Sequence, residues 1–240
     1  MTHPAPSVSD PKIIIALDDE QKESVHRLVT QLNPALCRLK VGSILFTRYG
    51  PSLVEELMQR GFDIFLDLKF HDIPKTVAGA VAGAAALGVW MTNVHIQGGR
   101  AMLEAARESI ERSHHKPLLL GVTVLTSLDQ TDLQWWGVHE AIPTLVERMA
   151  HLAKSVGLDG VICSVAEVAL LRARLPADFL LVSPGIRLPE DSHNDQKRVL
   201  TPEAALQAGV NYLVIGRSIT RAQDPLQTLQ RIHAELIARR

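Results

Sequence analysis

Residues 64–76, IFLDLKFHDIPKT, join an apolar strand to a helix through a short charged turn. The apolar run 64–66 precedes the charges, and an Ala/Gly-rich helical run from 77 to 87 follows them. Asp67 and Lys69 are two positions apart, so on a strand their side chains point to the same side. Opposite charges on one face of a buried strand are costly unless they pair or take part in chemistry. This stretch therefore predicts a strand–helix unit with a functional site at its junction.

The same strand–turn–helix pattern recurs along the whole chain. The predicted strands are continuous apolar runs, as expected when both faces of a parallel sheet are buried. They span residues 12–17, 37–41, 63–69, 89–96, 118–125, 160–163, 179–182 and 212–215. About eight such units without a linker between them predict an α/β fold, the TIM (β/α)8 barrel. We expect a single domain over residues 1–240, in which residues 1–11 form a flexible N-terminal tail. A doubly wound open sheet is the alternative, but no GxGxxG motif follows the first strand.

Composition argues against several kinds of partner. The net charge is −1, so no excess of basic charge indicates a nucleic acid or an anionic membrane surface. The first residues lack the apolar core of a signal peptide, and the longest weakly polar run, 77–91, is too short to span a bilayer. Cys37 and Cys163 have no metal-ligand spacing, which favours buried free thiols. We expect a cytoplasmic protein with no nucleic-acid and no membrane partner.

In a barrel, functional residues lie at the C-terminal ends of the strands. In this sequence those positions hold Asp18, Lys40, Asp67, Lys69, His95, Thr126, Arg187, Gly216 and Arg217. Some have simpler interpretations, since Asp18 could cap a helix and Lys40 could reach water. Asp72 resembles a helix N-cap before Pro74, a role that is compatible with catalysis. None of the ten histidines lies in an HxH or HExxH motif, so no metal site is predicted.

Four charged residues form the first candidate constellation. Lys40, Asp67, Lys69 and Asp72 alternate in sign and are expected to converge at one mouth of the barrel. Like charges shift each other's pKa unless opposite charges lie between them, so an alternating array keeps all four ionised. It provides a carboxylate that repels an incoming anion and an ammonium that stabilises a carbanion or donates a proton. Such an array suits a reaction in which negative charge develops on carbon.

The second constellation follows the last two strands. Phosphate sites in TIM barrels form from the loops after strands seven and eight. Gly216 permits a close approach of the backbone, and Arg217 supplies a fork for phosphate oxygens. The long polar segment 187–200 after strand seven suits a lid that closes over a ligand. An ordinary surface loop is the alternative interpretation of that segment.

At these residues the chain resembles the orotidine 5'-phosphate decarboxylase family. Residues 67–76 resemble the family signature, and further matches follow in the family's order. These are ALD at 16–18, KVG at 40–42, LTS at 125–127, SPGIR at 183–187, DQKR at 195–198 and IGRS at 215–218. The resemblance implies a homodimeric TIM barrel that converts orotidine 5'-monophosphate to uridine 5'-monophosphate and carbon dioxide. It implies the last step of de novo UMP synthesis, with no metal or organic cofactor.

The resemblance also implies roles for individual residues. Lys69 would donate the proton to C6, and Asp67 would lie against the substrate carboxylate. Asp18 and Lys40 would bind ribose hydroxyls, and Lys40 would also belong to the charge network. Asp72 would serve the neighbouring subunit's site.

Further substrate contacts follow from the same resemblance. Thr76, like Asp72, would reach the partner's site, and Thr126, or alternatively Ser127, would contact the pyrimidine. The phosphate end would be held by Gln196, Gly216 and Arg217, with Arg187 beside them. Ile73 completes the expected set of substrate-binding residues.

Two rival functions stay open at this stage. A related barrel, such as a keto-gulonate-phosphate decarboxylase or a hexulose-phosphate synthase, shares the Asp-x-Lys-x-x-Asp pattern but resembles a magnesium enzyme with a carboxylate at the end of strand two. This chain has Lys40 there, and a lysine does not help to hold a divalent cation.

The other rival is a catalytically silent barrel that binds a nucleotide or sugar phosphate. Such a binder would gain little from a carboxylate directed at an anionic ligand.

Overall fold

The computed structural model of the protein describes residues 10–188 and 201–237, and in them eight parallel strands close into a barrel. Each strand pairs with the next one along the chain, and the last pairs with the first. The strands are β1 (Ile13–Leu17), β2 (Cys37–Gly42), β3 (Ile64–Phe70), β4 (Met91–His95), β5 (Leu118–Val122), β6 (Gly160–Ile162), β7 (Leu180–Ser183) and β8 (Tyr212–Ile215). The predicted TIM barrel is confirmed, and the open sheet is wrong.

Helices on the outside connect the strands. They are α1 (Lys22–Val29), α2 (Ser43–Gln59), α3 (Pro74–Leu87), α4 (Arg100–Arg112), α5 (Gln130–Trp135), α6 (Ile142–Ser155), α7 (Val165–Arg174), α8 (Pro202–Gln207), α9 (Arg217–Thr220) and α10 (Pro225–Ile237). Local sequence sets several of their ends. Thr201 Oγ1 accepts a hydrogen bond from the N–H of Ala204 at 3.2 Å and caps α8 as predicted, and Gly88 ends α3 with a φ of 85°. No helix in the described ranges is long and apolar enough to cross a membrane.

The apolar core has two layers because β-strand side chains alternate between two faces. In β1, Ile14 belongs to the cluster inside the barrel, whereas Ile13 and Ile15 pack outward against the helices, and all of them are fully buried. The inner cluster consists of Ile14, Ala16, Phe65, Met91, Leu120, Val182, Tyr212 and Val214. It fills the interior of the barrel below the C-terminal ends of the strands.

The last two residues of the predicted N-terminal tail contact the barrel. Pro11 is buried, and its carbonyl accepts a hydrogen bond from Arg38 at 2.6 Å. The Asp10 carboxylate accepts from Arg38 at 2.9 Å and from the Tyr212 hydroxyl at 3.0 Å. The Arg38 guanidinium, almost fully buried, lies 3.9 Å from the centre of the Trp90 ring. Residues 1–9 of the tail lie outside the described ranges.

Asp10→Asn should lower the free energy of unfolding by about 1 kcal/mol at pH 7, because half of the Asp10 side chain is exposed and its ion pairs are screened. Burial by itself raises the pKa of Asp10, but hydrogen bonds from Lys12, Arg38 and Tyr212 outweigh it and lower the pKa below its usual value. A lowered pKa stabilises the fold above the unfolded-state value, and this is lost as the pH falls through the folded-state value. Urea unfolding of Asp10→Asn and wild type should therefore converge at low pH.

The exposed Asp178 provides the control for this experiment. Asp178→Asn should leave the unfolding free energy unchanged at both pH values. A difference between Asp10→Asn and wild type that persists at pH values below the lowered pKa of Asp10, where both side chains are neutral, would contradict the assignment.

Helix starts and the loop after β5 differ from expectation in detail. The N-cap of α3 is Ile73, not Asp72, and the Asp72 carboxylate instead accepts a hydrogen bond from the N–H of Ile73 at 2.6 Å. The segment after β5 contains α5, which begins with a capping box at Asp129. Its two tryptophans lie largely at the surface, with Trp135 84% exposed and Trp136 52% exposed.

Candidate active site

A cavity of about 310 Å³ opens at the C-terminal ends of the strands. Most of the predicted site residues line it: Asp18, Lys40, Asp67, Lys69, Thr126, Arg187, Gly216 and Arg217. Its apolar lining comes from Ala16, Phe65, Val122, Val124, Leu125, Ile162, Ile186 and Val214. A cavity with one charged side and one apolar side suits a flat ring that carries an anionic group.

The Asp67 carboxylate is the centre of the charged side. Its Oδ1 accepts a hydrogen bond from Lys69 Nζ at 2.7 Å, and its Oδ2 lies 3.2 Å from Lys40 Nζ. Lys40 Nζ also lies 3.6 Å from Asp18 Oδ1. Asp67 has only 8% of its surface exposed, so its pair with the largely buried Lys40 is shielded from water, whereas the Lys69 side chain is 36% exposed. The predicted alternation of charge is present among these residues.

The charge on Asp67 persists despite its burial. Burial by itself raises the pKa of Asp67, but attraction by Lys40 and Lys69 and hydrogen bonds from Lys69 and Asn93 outweigh it, so the pKa lies below its usual value. Asp67 is therefore a carboxylate at neutral pH. A fixed negative charge in the cavity repels a second carboxylate.

Lys69 does not follow the regular alternation that the sequence suggested. The register of β3 against β4 shifts between Leu66 and Phe70, which marks a bulge. Lys69 has a φ of 52° and is the only non-glycine residue with positive φ in the described ranges. A lysine in this region is strained, and such strain concentrates at functional sites. The bulge, rather than strand pleating, brings the Lys69 ammonium against Asp67.

Asn93 is a site residue that sequence reasoning missed. It lies on β4, is fully buried, and its Nδ2 donates to Asp67 Oδ1 at 2.7 Å. Its Oδ1 accepts from the backbone N–H of Lys69 at 2.8 Å. The available signal was the one amide side chain of β4, on the inward face that also carries Met91.

The part of the cavity formed by the loops after β7 and β8 has the features of an anion site. Gly216 follows β8, and a Cβ there would lie 3.3 Å from Asp18 Oδ2. A larger residue would therefore press on the Asp18 carboxylate. Arg217 begins the short helix α9, and Arg187 approaches from the loop after β7. Gln196 and most of the expected lid, residues 189–200, lie outside the described ranges.

The segment after β3 does not join this cavity. Asp72, Ile73 and Thr76 are exposed and are not among the lining residues. Within a single chain, Asp72 lies past the turn and does not join Lys40, Asp67 and Lys69 in this cavity. Ile73 leaves 66% of its surface exposed, which is unusual for a large apolar side chain.

Two other titratable groups near the strand ends are not arranged for acid–base chemistry. Burial lowers the pKa of His95, and the nearby His71 and Lys69 lower it further, so this imidazole is neutral at pH 7. His95 does not line the cavity, and its ring centre lies 5.3 Å from that of His71. Cys163 lines the cavity, but burial raises the pKa of its thiol to about 12, so it is not a thiolate nucleophile. Cys37 and Cys163 are both free and buried, as predicted.

A closed parallel barrel with a charged cavity at the C-terminal ends of its strands is the arrangement of TIM-barrel enzymes. The model of the orotidine 5'-phosphate decarboxylase / HUMPS family matches residues 11–232. The chain therefore belongs to this family, and it is an enzyme of the carboxy-lyase class.

Individual relatives agree with this assignment. The orotidine 5'-phosphate decarboxylase of Coxiella burnetii (strain RSA 493 / Nine Mile phase I) is 57% identical over 232 residues, which cover 96% of this chain and 98% of that protein. The protein of the same name from Saccharophagus degradans is 52% identical over 230 residues, 96% of this chain and 97% of that protein. The crystal structure of orotidine 5'-phosphate decarboxylase from Lactobacillus acidophilus has a TM-score of 0.84 at 36% identity and covers 95% of this chain and 99% of that one.

Proposed function

We propose that this protein converts orotidine 5'-monophosphate to uridine 5'-monophosphate and carbon dioxide, the last step of de novo UMP biosynthesis, as a cytoplasmic enzyme. The observation that carries the proposal is the buried Asp67 carboxylate, held ionised between Lys40 and Lys69 at 3.2 and 2.7 Å. A site built only to bind an anion would not direct a carboxylate into the cavity. A site that expels a carboxylate as neutral carbon dioxide gains from it, since the repulsion is relieved as the reaction proceeds.

Lys69 supplies the opposite charge and the proton. As the bond between C6 and the carboxylate breaks, its electron pair stays on C6, and carbon dioxide leaves without charge. The Lys69 ammonium stabilises this negative charge and then transfers a proton from Nζ to C6. The neutral amine that remains takes a proton from water. No external electron sink enters this scheme, so the proposal includes no cofactor.

The rest of the cavity binds the nucleotide. Asp18 and Lys40 bind ribose hydroxyls, and Thr126 contacts the pyrimidine next to the apolar lining. Arg217, the Gly216 backbone, Arg187 and Gln196 bind the phosphate. Asp72, Ile73 and Thr76 reach the active site of a second copy of the chain, so the proposed enzyme is a homodimer with shared sites. The exposure of Ile73 supports this part of the proposal, because a partner subunit would cover it.

The magnesium-dependent members expected among related barrels are the nearest alternative. In this chain the Lys40 ammonium, from β2, lies 3.2 Å from the Asp67 carboxylate. Its positive charge would repel a divalent cation bound beside Asp67. Within residues 10–188 and 201–237, no group of three or more His, Cys, Asp or Glu side chains is arranged to hold a metal ion. These observations favour the reaction that depends on Lys69.

One assay tests the proposal. The ultraviolet absorbance of orotidine 5'-monophosphate should decrease when the protein is added, and the rate should be unchanged in EDTA. Loss of activity in EDTA would instead favour a metal-dependent reaction. Binding of uridine 5'-monophosphate without any absorbance change would indicate the catalytically silent barrel and overturn the proposal.

A further inference from the structure

We infer that Asn93 is a positioning residue for the reaction proposed above: its amide holds the Asp67 carboxylate and the Lys69 backbone in the arrangement that the chemistry requires. The inference rests on the proposed function. Asn93 does not line the cavity, so it would act through these two residues and not by touching the substrate.

The geometry leaves the Asn93 amide a single useful orientation. The Lys69 N–H is a donor and faces Oδ1 at 2.8 Å, whereas the Asp67 carboxylate is an acceptor and faces Nδ2 at 2.7 Å. Reversing the amide would set donor against donor and acceptor against acceptor. One fully buried side chain therefore joins the proposed proton donor to the proposed carboxylate.

The bulge in β3 explains why the Lys69 backbone needs this support. Pairing of β3 with β4 resumes only at Phe70, so the register between Leu66 and Phe70 is broken next to Lys69. In a regular pair of strands, the Lys69 N–H would donate to a backbone carbonyl of the neighbouring strand. Here the side-chain oxygen of Asn93 accepts this hydrogen bond instead. A strained residue keeps its conformation only where its surroundings determine it, and here the amide is part of those surroundings.

The same side chain fixes the carboxylate. Asp67 Oδ1 accepts from both Asn93 and Lys69, which leaves Oδ2 directed at Lys40. Without the amide, the carboxylate is free to rotate about its Cβ–Cγ bond and to divide its oxygens differently between the two lysines. The distance between the proton donor and the reacting carbon would then vary from one turnover to the next.

Asn93→Leu removes both hydrogen bonds at similar volume, and we expect kcat to fall about 100-fold, the effect typical of misplacing a catalytic group by about 1 Å. The KM should change by less than about threefold, because the side chains proposed to bind ribose and phosphate, Asp18 and Arg217, are unchanged. Asn93→Asp keeps an acceptor for the Lys69 N–H but replaces the donor with an oxygen that repels Asp67. Asn93→Asp should also lower kcat while the KM stays almost unchanged. This variant tests the inference if Asn93→Leu does not fold.

Thr92→Val is the matched control. Thr92 is the preceding residue of β4, is equally buried, and donates from Oγ1 to the Leu66 carbonyl at 3.1 Å, so its loss removes one buried hydrogen bond between the same two strands. This variant should lower the melting temperature while kcat stays within about twofold of wild type.

The outcomes separate this inference from the proposed function. If wild type decarboxylates the substrate and both Asn93 variants keep its kcat while losing only stability, the inference is overturned and the proposed function stands. An inactive wild-type chain would overturn both. A fall in kcat at constant KM in the Asn93 variants, absent from Thr92→Val, would support the positioning role.

Discussion

Lys69→Ala is expected to lower kcat by about 10⁴-fold or more while the chain still folds. A positioned general acid contributes about 10²–10⁴-fold, and electrostatic stabilisation of a developing charge contributes about 10²–10³-fold. Lys69 would supply both through a single ammonium, which donates to Asp67 Oδ1 at 2.7 Å. Each tenfold loss corresponds to about 1.36 kcal/mol of barrier, so the loss exceeds about 5 kcal/mol. Stopped assays with the purified variant measure it.

Three further measurements sharpen this prediction. Lys69→Arg keeps the positive charge but has a guanidinium that does not deprotonate, so it should recover only the electrostatic part. Lys116→Ala, at an exposed lysine that pairs with Glu111, should keep full activity. Calorimetry should detect binding of uridine 5'-monophosphate to Lys69→Ala, because the ribose and phosphate groups of the site remain. A turnover near the wild-type rate in Lys69→Ala would remove Lys69 from the mechanism.

A heterodimer of one Lys69→Ala chain and one Asp72→Ala chain should have about half of the wild-type activity, although each parent homodimer is nearly inactive. Asp72 is exposed in the single chain and lies outside the cavity, so we expect it to complete the site of the partner. In the heterodimer, the intact Lys69 and the intact Asp72 come from different chains and meet in one site. Co-expression with two different affinity tags and tandem purification gives this species for assay.

The complementary heterodimer distinguishes shared sites from independent ones. Pairing a wild-type chain with a Lys69→Ala/Asp72→Ala chain leaves no site with both residues if sites are shared, so its activity should be nearly zero. If each chain used its own Asp72, this heterodimer would keep about half of the activity and the first would have none. That opposite pattern would disprove the sharing of sites.

Much of the barrel could be predicted because its signals are local. Continuous apolar runs identify strands buried on both faces, and the Thr-Pro pair at 201–202 is a local signal for a helix start. The short helices α5 and α9 were harder to predict, since one or two turns carry little periodicity. Asp10 was misjudged because its ordering depends on Arg38, which is far away in sequence but adjacent in the barrel.

The charged residues of the site were also accessible from sequence. Asp18 follows β1, whereas Lys40 and Asp67 lie within β2 and β3, and the parallel topology of the barrel brings these positions to one end. The position of each residue along its strand was therefore enough to predict that Asp18, Lys40 and Asp67 lie close together. The same rule failed for Asp72, because a residue past the turn is no longer directed by the strand.

The sequence by itself determined the barrel, the end of the barrel that carries the charges, and the identity of the charged groups around Asp67. These depend on the order of residues within each strand, which a local pattern records. Only the tertiary structure decided that Lys69 adopts a φ of 52° and that Asn93 holds it against Asp67. Both depend on the register between β3 and β4. This register is set by packing between residues that lie far apart along the chain, so no local sequence pattern records it.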